Sequence, residues 1–434
     1  KMRYKELLEK VKDLPKFPVY RNSSEVVNLG ESLGIEDVVL AGVLAELNIL
    51  LIGERGEGKT QIMDDVNNSL FGGRGTYIRA RPDMRTKELY EFFNIKKLRR
   101  ELADVVKAPL TMIDEINRAP PIIQNEFFHM CDGYIEHEGK KIQLGEGFHT
   151  TIASANVSSE RYRGTFEMDD AILDRFYLIL NIDNYPTKVT DDLEIITAEA
   201  GKSPKLAELL KEDHSEEIFA IAKEIKKIRE EKFDFDAYLA LLYLKRGLDY
   251  CSLKGSKRII SYAIPALCKK NSCDRLDKGC GYVRAISERT VEAIAALAPT
   301  LRLVADSKNG KGKGAITYGE ILEAFRLASP YAGILDFNWV RHKYYSNPSL
   351  AVDELTKNIK EEFIEKKEEA KAGLRRALEG KLDNEVTSRF GEEWKFFSGA
   401  LGEIGMVAKK HGKLIKNLRN ENLIKQYPFL RALR

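Results

Sequence analysis

The sequence predicts an α/β fold: a parallel sheet built around a phosphate-binding loop, continued by a mainly helical region. Three observations carry this. Short apolar runs at Asn48 to Ile52, Thr76 to Arg79, Leu110 to Ile113, Thr150 to Ser154 and Tyr177 to Ile182 alternate with helical stretches, the pattern of a wound sheet. A glycine-rich octet follows directly on the first run. After Tyr185-Pro186 the strand-like runs stop, and Lys205 to Leu210, Glu216 to Lys232 and Asp236 to Tyr250 carry helical periodicity.

The first run ends in Gly53-Glu54-Arg55-Gly56-Glu57-Gly58-Lys59-Thr60. Glycines at 53, 56 and 58 permit positive φ, so successive backbone N–H groups can turn inward around a phosphate. A helix starting near Lys59 adds its positive end. Lys59 would neutralise β- and γ-phosphate oxygens, and the Thr60 hydroxyl would ligate the bridging Mg²⁺. Glu57 and Gln61 flank these two within the predicted nucleotide contact.

The third run, Leu110-Thr111-Met112-Ile113, ends in Asp114-Glu115. A P-loop needs a carboxylate on a neighbouring strand to orient its metal ion, and this strand supplies one. Asp114 would hold Mg²⁺ through water, and Glu115, just past the strand end, would act as general base on the attacking water.

Two further segments carry a family resemblance. Asp114-Glu115 continues as Ile116-Asn117-Arg118-Ala119-Pro120-Pro121, and a later segment reads Gly164-Thr165-Phe166-Glu167-Met168-Asp169-Asp170-Ala171-Ile172-Leu173-Asp174-Arg175-Phe176. Both resemble the MoxR family of AAA+ ATPases, relatives of the magnesium chelatase ATPase subunits, over roughly residues 20 to 330. The resemblance implies an AAA+ P-loop parallel-sheet core with a helical lid and, from about Asp336 where it fades, a helical C-terminal extension. The expected boundaries are 1–183 for the core, 184–335 for the lid and 336–434 for the extension.

The same resemblance assigns roles by position. Asn156, at the end of Thr150-Thr151-Ile152-Ala153-Ser154-Ala155-Asn156, matches sensor 1, and Arg175 matches an arginine finger that acts on nucleotide held by a neighbouring subunit. Arg289 in Ser287-Glu288-Arg289 matches sensor 2, although glutamate stands where the family usually has proline. Ile135 and Ile142 flank a turn at Gly139, which predicts a short hairpin within residues 134–144. In the family such a hairpin points to a central pore, which would place Tyr134, His137, Lys140 and Lys141 near it. The resemblance further implies a homo-oligomeric ring, typically a hexamer, that hydrolyses ATP at subunit interfaces to remodel a partner protein, often one with a von Willebrand factor A domain.

A net charge of +3 over 434 residues provides no global basic field of the kind that dominates nucleic-acid binding. The alternative function is a nucleic-acid motor of the helicase or restriction-GTPase type; in the hairpin, Lys140 and Lys141 are offset by Glu136 and Glu138, which disfavours it. No apolar run approaches the roughly 18 residues needed to span a bilayer, and residues 1–10 lack a signal peptide's apolar core, so a cytoplasmic protein is expected.

Four of five cysteines, Cys251, Cys268, Cys273 and Cys280, fall in one stretch, near 251–285, that the family lacks. Such thiolates suit a Zn²⁺ site, but disulfides and unlinked thiols fit equally, because the gaps do not match paired CxxC spacing. Cys131 reads as simply buried. Gly310 to Gly314 reads as a linker, after which Thr317 is placed to cap a helix. Leu355 to Leu378 forms a charged helix. From Leu401 on, eight basic side chains stand against two acidic ones, a composition that suits contact with an acidic partner or nucleic acid, or, the favoured reading, an ordinary solvated helix with Leu414, Leu418 and Leu423 inward.

Overall fold

The computed structural model describes residues 4–15, 24–86, 89, 91–94, 99–102, 106–137, 139–156, 168, 170–197, 212–248, 250–251, 256–257, 283–284, 286–310, 312, 314–379, 381 and 394–410. The chain divides into two compact units, residues 1–227 with 299–314, and residues 228–298 with 315–434.

In the first unit, a small antiparallel pair, β1 (Val27–Asn28) and β2 (Ser32–Leu33), leads into the buried helix Ile35–Leu44. The central sheet is made of β3 (Ile49–Gly53), β4 (Thr76–Arg79), β7 (Leu110–Asp114), β10 (Thr150–Asn156) and β11 (Leu178–Asn181). Its order is β11-β3-β10-β7-β4, and all four pairings are parallel. Every residue of β3 and β7 is buried, as expected for strands covered on both faces. All five strand-like runs in the sequence are strands of this sheet, within a residue or two at their ends.

The sheet order places the site. From β3 the chain crosses to the β4 edge, returns through β7 and β10 to lie beside β3, and then adds β11 on the other side. Ligands of open α/β sheets bind at the carboxyl ends of strands where the winding direction reverses. Here that edge carries Gly53, Asp114 and Asn156, and Asn156 sits opposite Gly53 in the β10–β3 register.

Two antiparallel pairs are inserted. The hairpin of β8 (Tyr134–His137) and β9 (Lys140–Gln143) pairs Ile135 with Ile142 and turns at Gly139, whose φ of 73° only glycine adopts readily. It is the hairpin the sequence predicts. The pair β5 (Glu91–Asn94) and β6 (Arg99–Leu102) is not foreseen, because its alternation of polar and apolar residues is too short to read.

The second unit is mainly helical. Trp394 is fully buried against Tyr243, Phe363 and Phe397, with ring centroids 5.3, 6.1 and 6.0 Å away, and its indole N–H donates to Glu362 at 2.9 Å. Thr317 caps the helix Tyr318–Ala328 as expected: its hydroxyl accepts from Gly319 N, while Glu320 reaches back to Thr317 N at 2.7 Å. The expected helix over Asp236 to Tyr250 is shorter. Its α-helical part ends at Leu242, continues as a single π turn over Tyr243–Gly247, and gives way to β12 (Tyr250–Cys251), which pairs with β13 (Ser256–Lys257). The helix read over Leu355 to Leu378 starts earlier, at Pro348, where Asn347 accepts from Ser349 N and proline fits the first turn.

Several expectations fall outside the described residues: Lys205 to Leu210, Gly164 to Glu167 with Asp169, Cys268, Cys273 and Cys280, and the basic segment from residue 411 on.

Candidate nucleotide site

Between β3 and the helix Lys59–Phe71 the backbone takes the path that the glycines allow. Gly53, Gly56 and Gly58 have φ of 158°, 91° and 81°, and Gly58 sits at the helix N-terminus in the left-handed region. A Cβ added at Gly56 or Gly58 would meet no atom within 4 Å. The requirement for glycine there is therefore conformational, and the space beside the loop is open.

Lys59 is buried, and its ammonium donates to Gly53 O at 2.8 Å and Glu54 O at 2.7 Å. Burial pulls its pKa down, against the opposing pull of Asp183, Asp114, Glu115 and Glu54 around it. Two of its three N–H donors are satisfied by its own loop, so the cation stands at the loop and would exchange these bonds for an anion's oxygens.

Asp114 is the centre of the site. Its Oδ1 accepts from the Ser154 hydroxyl at 2.6 Å and from the Thr60 hydroxyl at 3.2 Å, and its Oδ2 accepts from the Tyr77 hydroxyl at 2.7 Å. Two strands and the P-loop helix thus converge on the one carboxylate that a third strand, β7, carries. Burial, and after it the hydrogen bond to Asp114, push the Tyr77 hydroxyl well above its ordinary pKa, so it remains a donor.

Glu115 follows with φ of 54°, a left-handed conformation rare outside glycine, asparagine and aspartate. Its backbone N–H donates to Ser154 Oγ at 2.9 Å, and its carboxylate accepts from Arg118 Nη1 at 2.8 Å. Asp183, in the short turn after β11, accepts from Glu54 N with both oxygens, at 3.2 and 3.0 Å, and ties down the start of the loop.

The sequence placed Gly53, Gly56, Gly58, Lys59, Thr60, Asp114, Glu115 and Asn156 here, and they do gather at one edge of the sheet. Glu57 and Gln61 lie on the same loop and helix start; Gln61 Nε2 donates to Asp65 at 2.8 Å. Tyr77, Ser154, Arg118 and Asp183 were missed. Two left a trace: Arg118 stands in the motif that follows Asp114-Glu115, and Ser154 is a small polar residue two positions before Asn156 in an apolar strand and therefore on the same face.

Arg175 is held within its own chain. Its Nε donates to Asp132 Oδ2 at 3.2 Å, its Nη1 to Ala171 O at 2.7 Å, and the guanidinium lies 4.8 Å from the centre of the Phe128 ring. Buried Asn48 braces the same region, donating to Cys131 O and Arg175 O and accepting from Thr151 N. Arg289 belongs to the second unit, as the second residue of the helix Glu288–Asn309, whose start Ser287 caps by accepting from Thr290 N at 3.1 Å. Cys251 lies in β12, and no group of three or more His, Cys, Asp or Glu side chains that could hold a metal ion occurs among the described residues. Cys131 is a free thiol whose pKa burial pushes up to about 12. No helix among the described residues is long and apolar enough to cross a membrane.

Comparison with known proteins agrees with this geometry. Residues 48–176 match the AAA domain of the dynein-related subfamily, a span that runs from Asn48 to the residue after Arg175. The fold is therefore that of an AAA+ α/β core. Among solved structures, one from Cytophaga hutchinsonii described as a "putative ATPase" aligns with TM-score 0.58 at 15% identity, over 82% of this chain and 94% of that one. A full-length MCM homolog from Methanopyrus kandleri aligns with TM-score 0.43 at 14% identity, over 75% of this chain and 60% of that one. A search of curated proteins finds no match.

An AAA domain implies ATP and Mg²⁺, and the side chains fit both. The open hollow beside Gly56 and Gly58, the inward-facing Lys59, and a hydroxyl and a carboxylate oxygen side by side at Thr60 and Asp114 form a hard-oxygen donor set suited to Mg²⁺.

Proposed function

We propose that this chain is an AAA+ ATPase of the MoxR type, which hydrolyses ATP to ADP and phosphate at the interfaces of a homo-oligomeric ring and uses the cycle to remodel a partner protein. The observation that carries the hydrolytic part is the convergence of Thr60, Ser154 and Tyr77 on Asp114, with Glu115 fixed beside it at the mouth of the P-loop. In this reading Lys59 leaves its loop carbonyls to meet phosphate oxygens, and Thr60 and Asp114 hold Mg²⁺, which supplies charge neutralisation on the phosphates. Glu115 takes the proton of the attacking water, Asn156 orients that water, and Arg175 of one subunit balances the charge developing at its neighbour's site. Arg289 is assigned to the nucleotide as sensor 2, and a protein with a von Willebrand factor A domain is the proposed partner. The proposed organisation is a core to residue 183, a lid to 335 and an extension beyond.

The test is Glu115→Gln in the full chain. It keeps the shape and the Arg118 contact while removing the base, so turnover should fall about a hundredfold or more with MgATP still bound. Turnover unchanged from wild type would remove Glu115 from the mechanism. Measuring the rate with and without DNA tests the alternative, since a nucleic-acid motor would show salt-sensitive stimulation.

A further inference from the structure

Resting on that reading of the site, we infer that Ser154 is a positioning residue that sets both carboxylates of the hydrolytic centre. The hydroxyl is fully buried at the end of β10 and uses its hydrogen-bonding capacity in two directions. It donates to Asp114 Oδ1 at 2.6 Å and accepts from the Glu115 backbone N–H at 2.9 Å. Both contacts matter because Asp114 and Glu115 are adjacent but do different work: one holds the metal ion and the other the water.

The first contact fixes the Asp114 carboxylate. Thr60 donates to the same oxygen at 3.2 Å and Tyr77 to the other at 2.7 Å, so removing the shorter, buried donor leaves Asp114 held by a longer bond and by half-exposed Tyr77. The second contact fixes the turn at Glu115. A glutamate at φ 54° is strained, and the strain persists only where the surroundings over-determine it. The Ser154 oxygen satisfies the N–H that this turn points into the sheet edge, and so sets the direction in which the glutamate side chain leaves β7. Ser154 also lies two residues before Asn156 on the same strand, so one element delivers the proposed sensor and the proposed hinge of the acid pair. Residues that orient a metal-holding carboxylate from behind typically change metal affinity or activity about ten- to a hundredfold when removed.

The experiment compares wild type, Ser154→Ala and Ser154→Thr as full-length proteins. It has three readouts: binding of a fluorescent ATP analogue in EDTA, the Mg²⁺ concentration needed to raise the unfolding temperature in the presence of ATP, and the hydrolysis rate. The expected result for Ser154→Ala is metal-free ATP binding within about twofold of wild type, a Mg²⁺ requirement raised about tenfold, and turnover lowered about ten- to a hundredfold. Ser154→Thr, which keeps the hydroxyl on a strand-compatible side chain, should restore the Mg²⁺ requirement to within about threefold. Ser154→Ala with an unchanged Mg²⁺ requirement and rate would overturn the role. Equal loss of metal-free binding and of thermal stability in both variants would also overturn it, by showing a packing role only. If wild type itself binds no nucleotide with Mg²⁺, the reading of the whole site fails, and this role with it.

Discussion

Arg175 Nε lies 3.2 Å from Asp132 Oδ2 of its own chain, and Asn48 ties the backbone at both places, donating to Arg175 O and to the carbonyl of Cys131, the residue before Asp132. These contacts restrict the rotamer of the arginine proposed to act in trans. A long side chain ordered in advance costs less to order on assembly.

Arg175→Ala should lower MgATP turnover by about a thousandfold or more, in line with other arginine fingers, while leaving nucleotide binding intact. Mixed with Lys59→Ala subunits it should regain part of the activity, because each mutant supplies what the other lacks. Steady-state rates of the mixture against each alone decide it, and no recovery would argue against action between subunits. Asp132→Ala should fall between wild type and Arg175→Ala in rate, read from steady-state turnover of each variant.

Asp65 predicts a pH effect on stability. It is buried on the P-loop helix, its Oδ2 has no hydrogen-bond partner among the described residues, and burial raises its pKa to about 7, with Gln61 opposing and Asp64 adding to the rise. An acid with a folded pKa near 7 and an unfolded one near 3.8 keeps its proton longer when folded. Its contribution therefore favours folding below the unfolded value and is lost as pH rises towards 7. Asp65→Asn removes this dependence, so the mutant's unfolding temperature should gain on wild type between pH 4 and 7 and hold that gain above. A difference that does not vary with pH would refute the assignment.

Thr317→Ala removes one side of a capping box that closes the start of the helix Tyr318–Ala328. The expected loss is about 1 kcal/mol, read as a lower denaturant midpoint at unchanged slope. Nucleotide affinity should not move, since the cap belongs to the second unit and the P-loop to the first.

Much of the nucleotide site was legible because its chemistry is local in the chain. Gly56, Gly58, Lys59 and Thr60 are neighbours, and a loop that must wrap a phosphate needs those residue types in that order. Asp114 and Glu115 announce themselves as two acids after a buried run. Tyr77 and Asp183 could not be read this way: each meets its partner across 37 and 129 residues of chain, and a lone tyrosine or aspartate has no spacing to betray it, whereas Ser154, 40 residues from Asp114, showed only that it shares a strand face with Asn156. The π turn at Tyr243–Gly247 escaped for a related reason, since its apolar pattern is that of an ordinary helix.

By itself, then, the amino-acid order determined the five strands of the central sheet, the phosphate loop and the pair of acids, all set by backbone freedom and apolar periodicity over a few residues. The folded sheet alone decided how those acids are aimed. Placing β10 between β3 and β7 brings a buried hydroxyl against Asp114 and Glu115 at once, and hydrogen-bond direction depends on which strands become neighbours.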